Sequence, residues 1–201
     1  MLGQFYDDYA ASMYDTFANK VMAQISCEAP SSQLYSLARS CDDCKNAYKS
    51  WLCSVAIPKC EDFDNNATYL QPRAINQSFP NGDVLDSATL NSFPQTNAFL
   101  TSRNPMIDQV LSPGPYKEVL PCDDLCYALV QSCPASLGFS CPRPGGYGYN
   151  TSYGRRTEAD ENGEITCNYP GSMHLFSAAG HLAVPWVVLG ATVVSLMSQL
   201  L

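Results

Sequence analysis

Cysteine is the residue type with the most chemistry to offer here, at ten residues in a chain of 201. An even number of cysteines, grouped in clusters, predicts a disulfide framework formed in an oxidising compartment. We expect all ten to pair: Cys27, Cys41, Cys44, Cys53, Cys60, Cys122, Cys126, Cys133, Cys141 and Cys167. Zinc is the alternative, since Cys41-x2-Cys44 and Cys122-x3-Cys126 would supply two close pairs. A redox role for Cys41 and Cys44 lacks the surrounding βαβ pattern that it requires.

Three N-glycosylation sequons weigh against zinc and favour the secretory pathway. They are Asn66-Ala-Thr68, Asn76-Gln-Ser78 and Asn150-Thr-Ser152. Together with the cysteines they predict a glycosylated extracellular domain.

Two helices must position most of the cysteines. In residues 122–133, Cys122, Cys126 and Cys133 fall close to one helical stripe, preceded by Pro121 and ended by Pro134. In residues 41–57, Ser40 is the expected N-cap and a buried stripe runs along one face. This stripe consists of Cys44, Tyr48, Leu52 and Val55. We interpret the two segments as paired helices of one disulfide-bonded core.

The cysteine arithmetic makes a further prediction about connectivity. Five cysteines precede residues 61–121 and five follow them. Because five is odd, complete pairing requires at least one disulfide that crosses this insert. The pairing itself stays open.

The rest of the chain divides into appendages of this domain. Residues 4–26 form an amphipathic pattern, and we expect segment 1–26 to be a helix packed on the core. Residues 27–170 form the cysteine-rich domain, with a long glycosylated insert at 61–121 whose part 102–121 is ordered against the core. Residues 142–166 are a surface excursion, where Asn162-Gly163 could close a hairpin. Because the start of the sequence lacks a signal peptide, we expect a fragment or a shortened gene model.

The C-terminal segment 171–201 is a spacer and a hydrophobic tail. Residues 182–201 are apolar and long enough to cross a bilayer, yet no basic residue follows them. This pattern favours a GPI-attachment signal over a retained transmembrane helix. The small residues Gly171, Ser172 and Ser177 are the candidate attachment positions.

Charge and motifs argue against other functions. The formal net charge is −8 and there is no basic patch, so nucleic acid is not expected as a partner.

Residues 158–169 resemble an EF-hand loop, but Tyr169 stands where a bidentate glutamate belongs, and we interpret the stretch as a turn. No hydrolase, zincin or P-loop motif is present, so we expect no enzyme and no cofactor.

Three stretches resemble the C-terminal half of the fungal stretch-activated calcium-channel auxiliary subunits, the MID family. They are residues 35–63, which contain S-C-D-D-C-K-N-A-Y, residues 102–105, S-R-N-P, and residues 115–142, which contain P-Y-K-E-V-L-P-C-D-D-L-C. They cover about a third of the chain and both cysteine clusters.

This resemblance implies a mainly α, small disulfide-rich domain, similar to the Frizzled cysteine-rich fold, with long irregular loops. It implies a non-catalytic extracellular subunit at the plasma membrane that supports calcium uptake by binding the pore-forming channel subunit. The matching Arg103, Asn104, Tyr116, Lys117 and Glu118 are the predicted contact residues, although Arg103 could equally brace the insert.

Two alternatives belong to other functional classes. A Frizzled-like module for a hydrophobic or lipidated ligand would present an apolar groove, and a GPI-anchored wall enzyme would present a convergent polar pocket.

Overall fold

A computed structural model describes residues 2–25, 39–157 and 165–171 of the chain. The first helix, α1 (Leu2–Thr16), continues through a π-helical turn (Phe17–Val21) into a 3-10 turn (Met22–Gln24). Its inward side buries Ala10, Phe17 and Met22. The N-terminal segment is therefore helical, and it packs on the second helix.

Helix α2 (Cys41–Ala56) begins at a complete capping box. The Ser40 hydroxyl accepts from the Asp43 amide at 3.2 Å, and the Asp43 carboxylate accepts from the Ser40 amide at 2.7 Å. Each side chain satisfies an amide that the helix leaves unpaired, which fixes the start of the helix. Of the predicted stripe, Cys44, Tyr48 and Leu52 are buried, and Val55 is half-buried against the same core.

Helix α6 (Asp123–Ser132) is the second predicted cysteine helix, and it packs directly on α2. Leu129 and Cys133 join the α2 stripe and the α1 side chains in one apolar core. In this core the Phe17 and Tyr48 rings stack with their centroids 3.7 Å apart. The interpretation of the two cysteine segments as paired core helices is confirmed.

The insert between α2 and α6 is more regular than the predicted long irregular loop. It contributes strands β1 (Lys59–Glu61), β2 (Leu70–Arg73) and β3 (Tyr116–Val119), and short helices α3 (Ser87–Ser92), α4 (Asn97–Leu100) and α5 (Pro105–Val110). The strands form an antiparallel sheet in the order β1-β3-β2. The sheet was missed because its strands are only 3 or 4 residues long and β2 contains Pro72.

The segment after α6 returns over the core. It forms a 3-10 turn (Ala135–Leu137) and α7 (Tyr149–Ser152), and then runs beside residues 121–122 through bridges to Gly154 and Asn168. Gly154 is required by this close approach, because a Cβ there would lie 3.0 Å from the Cβ of Cys167. The predicted turn at Asn162-Gly163 lies outside the described residues.

Candidate functional site

Disulfides fix the frame on which any functional surface of this domain is presented. Cys44 in α2 bonds Cys133 after α6 across 89 residues, so a disulfide does cross the insert as predicted. Two further bonds lie within the second half of the domain, Cys122–Cys167 and Cys126–Cys141. Cys41 is disulfide-bonded as well, and Cys27 lies outside the described residues.

The expectation that all ten cysteines pair is wrong for two of them. Cys53 and Cys60 are free thiols in this structure. Cys53 faces a cleft between α1 and α2, where the neighbouring side chains are apolar or charged. Neither residue is bonded to another cysteine among the described positions.

The surroundings of Cys60 keep its thiol protonated. Although part of the residue is exposed, desolvation of the thiol, reinforced by the Glu118 and Glu61 carboxylates, raises its pKa to about 12. Because the thiolate is the nucleophile in disulfide exchange, Cys60 is a poor reactant at neutral pH.

A buried ionic cluster surrounds Glu118. The Glu118 side chain is 1% exposed, and its two carboxylate oxygens accept from two arginines. Arg73 Nε donates to Oε2 at 2.6 Å, and Arg103 Nε donates to Oε1 at 2.7 Å. A buried carboxylate held between two guanidinium groups compensates the desolvation of all three charges.

The same two arginines extend the cluster to the backbone of other elements. Arg73 also donates to the carbonyls of Ala98 and Thr151, at 2.7 and 2.9 Å. Arg103 donates to the carbonyl of Ser152 at 3.2 Å. The cluster therefore joins the sheet, α4 and α7, and none of the disulfides described above links these three parts of the domain.

The five residues predicted to contact a partner all have contacts within this chain. Glu118 and Arg103 form the ionic cluster. Lys117 donates to the Asn65 carbonyl and lies over the Phe63 ring. The Asn104 side chain caps α5, and Tyr116 pairs with Arg73 across β2 and β3.

These contacts support the alternative assignment of Arg103 as a brace of the insert. Burial raises the pKa of Tyr116, so its hydroxyl stays neutral. As a partner-binding set the five residues stay a prediction. Sequence reasoning missed Arg73, a single charged residue between Pro72 and Ala74.

A cleft lies between α1 and α2. Its volume is about 770 Å³, and its apolar floor includes Ala10, Ala11 and Leu52. Asp7 and Asp15 of α1 stand on one side, and Lys45 and Lys49 of α2 on the other. The Lys49 ammonium lies 5.7 Å from the centre of the Tyr14 ring, so it reaches over the cleft.

A smaller apolar cleft opens on the other side of α1. Its volume is about 390 Å³, and its lining residues are Ser12, Met13, Thr16, Phe17, Val21, Tyr48, Leu137 and Phe139. Met13 stands at its mouth with 36% of its surface exposed. This cleft has the composition of a site for an apolar group.

A third concavity is polar and lies beside two of the three sequons. Its volume is about 620 Å³, and both Asn150 and Thr68 contribute to its lining. Asn66, Asn76 and Asn150 are all exposed.

The remaining predicted positions are only partly described. Gly171 lies at the end of the described chain in a left-handed conformation, while Ser172 and Ser177 lie outside the described residues. Within the described ranges, no group of three or more metal-binding side chains converges, and no helix is long and apolar enough to cross a bilayer. The hydrophobic tail and the EF-hand-like positions 158–164 are outside these ranges.

Comparison with known proteins places the chain in a family. Residues 1–173 match the family described as Mid1, stretch-activated Ca²⁺-permeable channel component. The chain is 40% identical over 185 residues to the stretch-activated cation channel yam8 of Schizosaccharomyces pombe, covering 92% of this chain and 32% of that protein. It is 31% identical over 182 residues to the stretch-activated cation channel MID1 of Saccharomyces cerevisiae, covering 87% of this chain and 27% of that protein.

The chain thus spans about a third or less of the length of these curated relatives. No solved structure matches it. The family match extends over both cysteine clusters, the insert and all the clefts described above. The chain therefore belongs to the Mid1 family of stretch-activated Ca²⁺-permeable channel components.

Proposed function

We propose that this chain is a non-catalytic, extracellular auxiliary part of a plasma-membrane stretch-activated calcium channel and binds the large pore-forming subunit. The observation that carries the proposal is the family match over residues 1–173. The disulfide frame and the exposed sequons support an extracellular position reached through the secretory pathway. The helix-rich, disulfide-bonded architecture supports a Frizzled-like domain, and the tail at 182–201 supports membrane attachment through a GPI anchor.

The cleft between α1 and α2 is the surface that we propose for the channel contact. None of the three sequon asparagines lines it, so predicted glycans attach elsewhere. Its apolar floor suits the apolar face of an amphipathic helix, a common mode of peptide recognition. The acidic α1 side and the basic α2 side favour a helix with basic residues toward α1 and acidic residues toward α2.

Filling the cleft tests this proposal. Ala11→Trp, in the full-length protein, places an indole on the cleft floor, and Asn46→Trp adds the same group to an exposed α2 position that does not line the cleft. Each variant is purified by affinity from fungal membranes, and the co-purified polypeptides are identified by mass spectrometry. We expect Asn46→Trp to retain the pore-forming polypeptide and Ala11→Trp to lose most of it, with secretion of both unchanged.

The two parts of the proposal fail in different ways. If neither wild type nor Asn46→Trp retains a channel polypeptide, the auxiliary-subunit function is wrong. If Ala11→Trp retains as much of it as wild type, the contact lies on another surface.

The apolar cleft beside α1 favours one second candidate, a module that binds a hydrophobic or lipidated ligand. Phe17, Tyr48 and Phe139 supply an aromatic lining that is preformed by the core. A fluorescent fatty-acyl probe should bind the wild-type domain, and Met13→Glu at the mouth should abolish that binding. Equal binding by both proteins would rule out this cleft as the ligand site.

A further inference from the structure

The polar concavity beside α7 lies against a sequon residue that can carry a ligand covalently. Its lining consists of Thr68, Tyr69, Leu70, Gln71, Leu120, Asn150, Tyr153, Gly154, Arg155, Thr157 and Thr166. Asn150 is the acceptor asparagine of one sequon, and Thr68 is the hydroxyl residue of another. A modified Asn150 therefore places its first sugar at the edge of a cavity of about 620 Å³. This volume is in the range of small-molecule sites.

The lining chemistry of this concavity suits a sugar. Asn150 lies in α7, Tyr153 is the extended residue that ends this helix, and both line the concavity. The Trp51 indole N–H donates to the Tyr153 hydroxyl at 3.0 Å, which holds the Tyr153 ring in place. The electron-rich face of an aromatic ring attracts the C–H groups of a pyranose.

Polar groups around the ring complement the sugar hydroxyls. Arg155 is exposed over 63% of its side chain, and its Nε lies 3.6 Å from the Asp123 carboxylate, which is longer than a normal hydrogen bond. Thr68 contributes a hydroxyl to the same lining. Aromatic and polar side chains thus meet where the first residues of an Asn150 glycan emerge.

We propose that the N-linked glycan of Asn150 folds back into this concavity, with its core N-acetylglucosamine residues against Tyr153 and Arg155. The amide nitrogen of Asn150 forms a bond to C1 of the first sugar and loses a proton. The diphosphate of a lipid-linked oligosaccharide donor departs with the electrons of the broken C1–O bond. The bound glycan then acts as an ordered part of the domain rather than as a freely moving surface chain.

A set of hydroxyl substitutions tests the proposal on the secreted full chain. Ser152→Ala removes the sequon but keeps Asn150 and the Ser152 carbonyl that accepts from Arg103. Ser152→Thr keeps the sequon. Ser78→Ala removes the Asn76 sequon, which does not line the concavity.

We expect Ser152→Ala to melt about 2–4 °C below the Ser152→Thr protein, as a loss of one modest interaction would do in a domain of this size. Ser78→Ala should melt within about 1 °C of wild type, as surface changes do. Trimming the wild-type glycans to a single N-acetylglucosamine should keep most of the stabilisation. Amide hydrogen exchange of residues 153–157 should be faster in Ser152→Ala alone.

Three outcomes would overturn the proposal. Mass spectrometry could find Asn150 unmodified in the secreted protein. Ser152→Ala and Ser78→Ala could have equal melting temperatures. Exchange in residues 153–157 could be the same with and without the glycan.

Discussion

The helical layer and the insert of this domain are held together by different physical means. In the helical layer, α1, α2 and α6 share an apolar core, and the Cys44–Cys133 disulfide joins α2 to the end of α6. In the insert, the described residues hold a small sheet, short helices and one buried ionic cluster around Glu118. Its only cysteine, if β1 is included, is the free thiol of Cys60.

This difference teaches where each part of the domain is vulnerable. A disulfide that closes a long loop restricts the unfolded chain, whereas a buried ion pair depends on every partner staying in place. Reductant should therefore weaken the helical layer, and loss of a single charge should weaken the insert. The predictions below separate the two effects in order of decreasing size.

Removal of the disulfide that crosses the insert should have the largest effect. Cys44→Ser with Cys133→Ser opens a loop of 89 residues, and we expect a loss of about 4–5 kcal/mol in the free energy of unfolding. Cys126→Ser with Cys141→Ser opens a loop of only 15 residues and should cost about 3 kcal/mol. Denaturant unfolding of both proteins measures the difference, and equal losses would contradict the loop-length argument.

Breaking the ionic cluster comes next in size. Glu118→Gln leaves the buried Arg73 guanidinium without its counter-charge, and we expect a loss of about 3–5 kcal/mol. Asp62→Asn removes an exposed carboxylate from the same insert and should change stability by less than about 0.5 kcal/mol. Hydrogen exchange should show faster opening of β2 and β3 in Glu118→Gln. A cluster that is not essential would give the two variants the same stability.

Removal of the Asn168 hydrogen bonds at the end of α2 should have an intermediate effect on stability. The Asn168 amide, which is 3% exposed, donates to the carbonyls of Ser54 and Ile57 at 2.9 and 3.0 Å. Asn168→Ala leaves these buried acceptors unpaired, at a cost of about 1–3 kcal/mol. Asn46→Ala, on the exposed surface of α2, is the control. Equal melting temperatures of the two variants would show that the Asn168 hydrogen bonds do not stabilise the domain.

The capping box of α2 should produce the smallest effect, one that depends on pH. Hydrogen bonds from Ser40 lower the pKa of the Asp43 carboxyl below its ordinary value of 3.8. A carboxyl whose pKa is lowered by folding stabilises the folded state above its unfolded pKa, and this contribution is lost as the pH falls through the folded pKa.

The melting temperature of Asp43→Asn should therefore be lower than that of wild type at neutral pH. The difference should shrink as the pH falls from about 5 to about 2. A difference that stays constant over this range would exclude the carboxylate as its source.

The helical layer could be predicted from sequence because its signals are local. The Ser40 cap, the 4-residue spacing from Cys44 to Leu52, and Pro121 before α6 each report on neighbouring residues. The crossing disulfide could be predicted by parity, although parity alone did not show that Cys53 and Cys60 stay free. Their state depends on which side chains face them in three dimensions.

The insert could not be predicted in the same way because its contacts are distant in sequence. Arg73 meets Glu118 over 45 residues, and strands of 3 or 4 residues carry almost no periodic signal. Arg103 and Glu118 are predicted from sequence as partner contacts, but sequence alone does not show that they contact each other. The positions of the clefts likewise depend on how α1 and α7 pack on the domain, and local sequence patterns do not predict this packing.

Cleavage within the insert tests most directly the claim that one covalent frame unites the domain. A protease site is introduced in the exposed loop at residues 81–84, where Val84 is 66% exposed, and the cleaved protein is run with and without reductant. We predict one band without reductant, two bands with it, and two bands in either condition for the Cys44→Ser, Cys133→Ser protein. Two bands from the cleaved wild-type protein without reductant would contradict the account.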